Sequence, residues 1–180
     1  MSLVLRLSEE QDTAEPRLSE IVSLINRVYS EAEAGMWNDG FQRVKPSEVV
    51  QYISDKNLIF AFKDEKLVGS VFVTQLSKTL GEFGMLVCEP SHRHQGIGRR
   101  LIAAAEDRCR ELGCSQMQLE ILYPKDWSQP TKEILKVWYP ALGYRKGAEE
   151  NFNEMYPQLA PVLAAACAFS TYTKDLGESS

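Results

Sequence analysis

A strand–loop–helix segment with two closely spaced glycines sets the main limits on the fold of this chain. Residues 85–101, MLVCEPSHRHQGIGRRL, lead from an apolar strand through a Pro-Ser turn directly into a long amphipathic pattern. Glycines let the backbone approach a diphosphate closely, and the first N–H groups of a helix point at such an anion with the positive end of the helix dipole behind them. The segment therefore predicts a binding site for a phosphorylated ligand.

The glycine spacing excludes two common phosphate-binding motifs. A dinucleotide-binding fingerprint needs a third glycine and an acidic residue about 20 positions later, but Arg100 and Leu101 follow Gly98 instead. A P-loop needs a Gly-Lys-Ser/Thr sequence, which this segment lacks. The ligand is therefore expected to be bound by a different kind of loop.

Composition indicates an ordinary globular protein with one domain, residues 1–180. The net charge of −5 gives no overall basic field, so we expect no nucleic-acid partner and no binding to an anionic membrane. The longest apolar run, Leu159–Phe169, is much shorter than the ~20 residues of a membrane helix, and the N-terminus lacks a signal-peptide pattern. We therefore expect a cytoplasmic protein, with the nucleus as the alternative.

The four cysteines and two histidines do not form a recognisable metal-binding pattern. Cys88, Cys109, Cys114 and Cys167 show no CxxC or Cys/His spacing, so reduced and packed thiols are expected. His92 and His94 lie in the turn before the glycine loop without neighbouring ligand residues, which favours a loop role over metal binding or base catalysis. We expect no metal.

Apolar periodicity predicts the order β-α-α-β-β-β-α-β-α-β-β, with one mixed sheet and helices on both faces. A tight hairpin turn is expected at Asp64-Glu65. Long loops that shape a binding site are predicted at Tyr123–Pro130 and Lys146–Pro161. The predicted strands are 2–8, Leu58–Lys63, Lys66–Leu76, 82–88, Gln116–Leu122 and Cys167–Lys174, and the predicted helices are Glu15–Glu33, 46–54, Gly96–Leu112 and Thr131–Leu142.

Two landmarks in this order resemble the GNAT superfamily of acetyl-CoA-dependent N-acetyltransferases. The first is Arg/Gln-x-x-Gly-x-Gly/Ala, carried by Arg93, Gly96 and Gly98, and the second is the WYPALGY segment at 138–144. The resemblance extends from about residue 3 to 174. It implies an α/β (α+β) fold with a mixed, mostly antiparallel central sheet of six to seven strands and helices on both faces. It also implies acetyl-CoA as the acetyl donor.

The same resemblance assigns the cofactor-binding residues. The strand before the motif is implied to splay from its neighbour, so that backbone groups of Met85, Leu86 and Val87 pair with the pantetheine arm. Arg99 and Arg100 begin the helix against the dipole preference for acids, which a bound polyanion would explain; exposed arginines without a ligand are the alternative. The expected pyrophosphate-binding residues are Arg93, His94, Gln95, Gly96, Ile97, Gly98 and Arg99.

Direct acetyl transfer needs a neutral amine, stabilisation of the oxyanion and a proton for the leaving thiolate. The resemblance places Tyr139 at the position of the general acid, with an aromatic core residue as the alternative role. The resemblance implies a glutamate at the strand position of Glu82, which makes it the first candidate for the base, with an exposed strand-edge residue as the alternative. Glu120 is the second candidate because its strand neighbours alternate between apolar and polar, and it could equally bind the ammonium group of the acceptor. Cys88 is expected to be packed rather than to form an acetyl-cysteine.

Acidic and aromatic residues of the loops are the candidates for binding the acceptor. The predicted acceptor-binding residues are Glu33, Trp37, Arg43 and Trp127. Arg43 is left with two interpretations, pairing with a carboxylate of the acceptor or with Glu33, and simple solvation of Glu33 is a further alternative. Lys132 replaces an asparagine common in the family and is expected to reach either a carboxylate or the cofactor.

These observations favour an N-acetyltransferase acting on a small primary amine. The alternatives are a protein or peptide N-acetyltransferase and a non-catalytic acyl-CoA-binding sensor. Loops that close the cleft would favour a small acceptor, whereas an extended groove would favour a peptide. The sequence does not distinguish a monomer from a homodimer.

Overall fold

The computed structural model describes residues 2–177 and contains one seven-stranded sheet with five α-helices. In the sheet the strands follow the order β1-β2-β3-β4-β5-β7-β6. The strands are β1 Leu3–Leu7, β2 Leu58–Lys63, β3 Lys66–Gln75, β4 Leu80–Cys88, β5 Gln116–Pro124, β6 Arg145–Asn151 and β7 Cys167–Asp175. The helices are α1 Arg17–Ala32, α2 Pro46–Ser54, α3 Ile97–Glu111, α4 Pro130–Ala141 and α5 Phe152–Met155.

Strand pairing is antiparallel throughout this sheet except between β4 and β5, which run parallel. A parallel pair needs a crossover connection, and α3 provides it. The mixed, mostly antiparallel sheet that the resemblance implied is therefore confirmed. None of the helices in the described part of the chain is long and apolar enough to cross a membrane.

Two apolar cores lie on opposite faces of the sheet. Alternate residues of β2 show this directly, because Leu58 and Phe60 pack with α1 and α2, whereas Ile59 packs with α3 and α4. A strand with both faces buried is expected to be a continuous apolar run, as LIFAFK is. The prediction of helices on both faces is confirmed.

The hairpin between β2 and β3 has the predicted turn. Asp64 and Glu65 adopt φ values of 50° and 65°. Two consecutive positive φ values are typical of a type I′ turn, whose twist matches that of the flanking strands. The local sequence signal was sufficient here because the turn is formed by the two residues themselves.

The prediction of a loop at Lys146–Pro161 is wrong over most of its length. Arg145–Asn151 forms edge strand β6, and Phe152–Met155 forms the short helix α5. Every residue of β6 is exposed, so the strand has none of the apolar alternation by which a strand is recognised in a sequence. The loop expected at Tyr123–Pro130 is also shorter, because β5 continues to Pro124 and α4 begins at Pro130.

Candidate functional site

The candidate site lies where the parallel strands β4 and β5 diverge. They pair only from Leu80 to Glu82 on β4 and from Gln116 to Gln118 on β5. Beyond these residues β4 continues to Cys88 and β5 to Pro124, and no described strand pairs with the facing edge of β4. That edge therefore presents backbone N–H and C=O groups to an extended ligand.

A bulge in β4 turns its side chains at the start of this gap. Met85 has a φ of 45°, and the pairing of β4 with β3 shifts register between Ser70 and Phe72. After the bulge, Met85 and Val87 pack with α1 and α2, whereas Leu86 packs against the opposite core. Bulges of this kind re-aim a strand and end its pairing. The open edge is thus lined by the backbones of Met85, Leu86 and Val87.

The loop after β4 forms a cradle at the start of α3. His94 and Gly96 adopt left-handed φ values of 63° and 78°, and Gly96 is the N-cap of α3. No side chain of the described residues caps this helix, and its first turn contains no acid. Uncapped N–H groups and the positive end of the helix dipole suit a bound anion. Gly98 faces Trp138 of α4, since an added Cβ would lie 3.2 Å from the Trp138 Cη2 atom.

The charged side chains around the cradle are largely exposed. Arg93 lies 3.7 Å from a carboxylate oxygen of Glu31, and Gln95 accepts a hydrogen bond from the Lys63 ammonium at 2.8 Å. Arg99 is exposed, and the Arg100 guanidinium lies 3.4 Å from the Leu3 carbonyl oxygen. Lys63 comes from the β2–β3 hairpin and was missed by the sequence analysis, because only the tertiary fold brings it to this loop.

Tyr139 of α4 lies beside the diverging strands. Its ring packs edge-on against Phe83 of β4, with the ring centroids 5.9 Å apart, and its side chain is buried. Burial raises the pKa of the Tyr139 hydroxyl, and the neighbouring Tyr29 of α1 adds to this rise. Tyr29 was missed by the sequence analysis, because only the tertiary fold brings it near Tyr139.

Two carboxylates lie on the same face of adjacent strands at the gap. Glu82 of β4 is half-buried and accepts a hydrogen bond from the Gln118 amide at 2.6 Å. Glu120 of β5 accepts a hydrogen bond from the Tyr156 hydroxyl at 2.5 Å. Loss of solvation raises the pKa of Glu120, the charges of Glu82 and Glu150 raise it further, and the Tyr156 hydrogen bond acts in the opposite direction. The structure thus brings both candidate bases to one place.

The predicted acceptor-binding residues contact other groups of the protein. Glu33 is buried and forms an ion pair with Lys132 at 2.6 Å, while its second oxygen accepts the Trp37 indole N–H at 2.6 Å. Lys132 therefore reaches a carboxylate, one of its two expected partners. Arg43 does not pair with Glu33; its guanidinium lies over the Tyr29 ring, 5.3 Å from the centroid. Trp127 is 41% exposed and packs against Gly35.

The loop between α1 and α2 is joined to the segment that precedes β7. Trp37 forms an isolated antiparallel bridge with Leu163. The Asn38 N–H donates to the Val162 carbonyl at 2.8 Å, and the Ala164 N–H donates to the Met36 carbonyl at 2.9 Å. These bonds hold the two loops together.

Cys88 and His92 have partners close by in the sequence. The Cys88 thiol lies 3.9 Å from the His92 carbonyl oxygen, and burial raises its pKa, which disfavours the thiolate needed for a nucleophile. The His92 ring hydrogen-bonds to the Ser91 hydroxyl at 3.0 Å. Among residues 2–177, no group of three or more His, Cys, Asp or Glu side chains is arranged to hold a metal ion.

Comparison with solved structures places this geometry among known folds. The chain is similar to yncA of Salmonella typhimurium, solved with its cofactor acetyl-CoA, at 15% identity and a TM-score of 0.70, with 100% of this chain and 97% of that chain covered. It is similar to the paia N-acetyltransferase of Thermoplasma acidophilum in complex with coenzyme A at 15% identity and a TM-score of 0.71, with coverages of 97% and 99%. A ribosomal-protein-alanine N-acetyltransferase of Brucella melitensis gives 15% identity and a TM-score of 0.69, with coverages of 96% and 99%. At these identities the likeness shows the fold alone.

The sequence comparisons complete the assignment. No curated protein sequence gave a significant match. The family model described as the acetyltransferase (GNAT) family matches residues 21–131, which include α1 from Ile21 onward, the diverging strand β4, the glycine loop and all of α3. The chain therefore belongs to the GNAT acetyltransferase family.

Proposed function

We propose that this protein transfers an acetyl group directly from acetyl-CoA to the primary amine of a small molecule. The observation that carries the proposal is the open edge of β4, which leads directly into the cradle formed by His94, Gly96 and the first turn of α3. An extended arm with amide groups fits the first of these features, and a diphosphate fits the second. Coenzyme A combines both features, and solved structures with this fold contain coenzyme A or acetyl-CoA.

The chain's own groups supply what the transfer requires. Bound acetyl-CoA would provide the activated acetyl group as a thioester. Glu120 takes the proton from the acceptor ammonium, because its raised pKa brings it nearer to that of a base working near neutral pH. The free N–H groups of β4 stabilise the developing oxyanion. Tyr139 holds a proton on its buried hydroxyl and donates it to the leaving sulfur.

The contacts between two loops support a small-molecule acceptor rather than a protein acceptor. The bonds between residues 36–38 and 162–164 join the two loops. A polypeptide substrate would need an open groove through this position. The carboxylates of Glu82 and Glu120 and the ring of Tyr156 at the gap suit an ammonium group attached to a compact body.

A thiol-release assay tests the proposed activity. We expect release of CoA from acetyl-CoA with at least one small amine among polyamines, amino acids, aminosugars and arylamines, and little release with peptides. Isothermal titration with CoA accompanies the assay. Preferred turnover of peptides would contradict the small acceptor, and tight CoA binding without release across the panel would point to a sensor.

The cradle itself is tested by a matched pair of glycine variants. Gly96 and Gly113 stand at the two ends of α3, both with left-handed φ values and with no atom within 4 Å of an added Cβ. Alanine costs about 1–2 kcal/mol in this conformation at either position. Because only Gly96 shapes the cradle, we expect Gly96→Ala to weaken CoA binding about tenfold and Gly113→Ala to leave it unchanged. Equal CoA affinities of the two variants in isothermal titration would place the diphosphate elsewhere.

A further inference from the structure

Most arginines pair with a carboxylate, and Arg43 is an exception. Most arginines lie within 4.0 Å of a carboxylate oxygen: Arg6, Arg17, Arg27, Arg93, Arg108, Arg110 and Arg145. Within residues 2–177, no ion pair of this kind forms at Arg43, Arg99 or Arg100. Arg99 and Arg100 stand at the start of α3, where the proposed function places a diphosphate. Arg43 therefore remains as a cation for which the donor site offers no explanation.

Arg43 is an exposed residue that packs on a tyrosine of α1. Its guanidinium covers the Tyr29 ring at 5.3 Å. Burial raises the pKa of Tyr29 to about 12, and the Arg43 cation acts against this rise, as it does at Tyr52 and Tyr156. Arg43 thus stacks on a phenol ring of α1, and its charge acts on the phenols of Tyr52 in α2 and of Tyr156, which follows α5.

The carboxylates near this cluster are already engaged elsewhere. Glu33 is held by Lys132 and by the Trp37 indole, and Glu48 accepts the backbone N–H of Lys45 at 2.7 Å. Glu120 accepts a hydrogen bond from the Tyr156 hydroxyl. The same hydroxyl therefore binds a carboxylate and lies within the electrostatic influence of the Arg43 cation.

We propose that Arg43 binds a carboxylate of the acceptor, so that the acceptor is a small amino acid. This rests on the proposed function and names the class of amine that the site takes. A guanidinium matches a carboxylate through two parallel hydrogen bonds, and a ring beneath it holds the fork in place. With the carboxylate on Arg43, the amine of the same molecule lies toward Glu120 and Glu82. A simple monoamine or a polyamine would leave Arg43 without a partner and would bring a second cation toward it.

Matched acceptors test this inference. The panel compares an amino acid with its amide and with its decarboxylated amine, for instance alanine, alaninamide and ethylamine, and lysine with cadaverine. Aminoethyl phosphate is included because a guanidinium also binds phosphate. We expect CoA release to be fastest with an amino acid and to fall at least tenfold when its carboxylate is removed or amidated.

Variants then connect the preference to Arg43. Arg43→Met is expected to raise the KM for the amino acid about 10- to 100-fold, with kcat and CoA affinity nearly unchanged, while the KM for the matched amine stays the same. Arg43→Lys keeps the positive charge but lacks the planar guanidinium, and it is expected to recover part of the lost affinity for the amino acid. Arg145→Met is the control, because Arg145 is 77% exposed at the sheet edge and pairs with Asp175.

The outcomes separate this inference from the proposed function. Equal turnover of amino acids and matched amines, or equal effects of Arg43→Met on both, would overturn the role of Arg43 while acetyl transfer stands. Preference for polyamines or for aminoethyl phosphate would also overturn it. Absence of CoA release with every acceptor, despite measured CoA binding, would instead remove the proposed function on which the inference rests.

Discussion

Replacing Lys132 by methionine is expected to lower the free energy of unfolding by about 3–5 kcal/mol, because the change leaves a buried carboxylate without its counter-ion. The side chains of Lys132 and Glu33 are only 7% and 6% exposed, and their charged atoms lie 2.6 Å apart. The Trp37 indole satisfies the other oxygen of Glu33 but carries no charge. Urea-induced unfolding followed by circular dichroism measures the loss.

A neighbouring lysine of the same helix provides the control. Lys136 lies one turn further along α4 and pairs with Glu133 at 3.0 Å, but the two side chains are 29% and 49% exposed. Its ammonium also lies 4.2 Å from the centroid of the Tyr123 ring. Lys136→Met is expected to cost no more than about 1 kcal/mol, since water solvates the remaining carboxylate. Equal losses in the free energy of unfolding for the two variants would show that the buried Glu33–Lys132 pair stabilises the protein no more than the exposed pair.

A double variant distinguishes the unpaired charge from lost packing. Glu33→Gln combined with Lys132→Met removes both charges and keeps an amide that can accept the Trp37 N–H. Buried ion pairs replaced by neutral groups of similar size are often no less stable. We therefore expect the double variant to recover most of the stability that Lys132→Met loses. Without such recovery, the loss would have to come from the packing of the lysine stem.

Local signals explain which parts of the fold were predictable. The helix from Gly96 to Leu112 was expected from its apolar stripe, and the structure has α3 at Ile97–Glu111. The Asp64-Glu65 turn was predictable because its residues determine their own backbone angles. The predicted order contained two strands after the last helix, but only the second was given a range. Strand β6 could not be located because its ladder partner β7 is not the adjacent hairpin arm in a recognisable pattern and each of its residues is exposed.

The site was predictable to the extent that a motif carries it. Arg93, Gly96 and Gly98 could be named from their spacing, and in the structure they lie in the loop before α3 and in its first turn. The ion pair of Glu33 with Lys132 joins residues 99 positions apart, so no local pattern contains it. The approach of Tyr29 to Tyr139 and the separation of Arg43 from Glu33 are likewise products of tertiary packing.

Tertiary packing also changes the order of the two candidate bases. The sequence favoured Glu82, because its position before the motif matches that of a glutamate in related enzymes. In the folded protein, loss of solvation and the charges of Glu82 and Glu150 raise the pKa of Glu120 above its ordinary value. A carboxylate with a raised pKa is the better base near neutral pH. Glu120 is therefore our candidate for the proton acceptor, with Glu82 raising its pKa through charge.

The two assignments give opposite results in a pair of variants. If Glu120 is the base, Glu120→Gln lowers kcat about 10²–10⁴-fold and removes the rise of kcat with pH, since the base is active only when ionised. Glu82→Gln removes a negative neighbour, which lowers the pKa of Glu120 and moves that rise to lower pH at a much smaller cost in kcat. Both variants are measured by CoA release between pH 4 and 9, with CoA affinity as the control. A large loss in Glu82→Gln together with a retained pH profile in Glu120→Gln would return the role of base to Glu82.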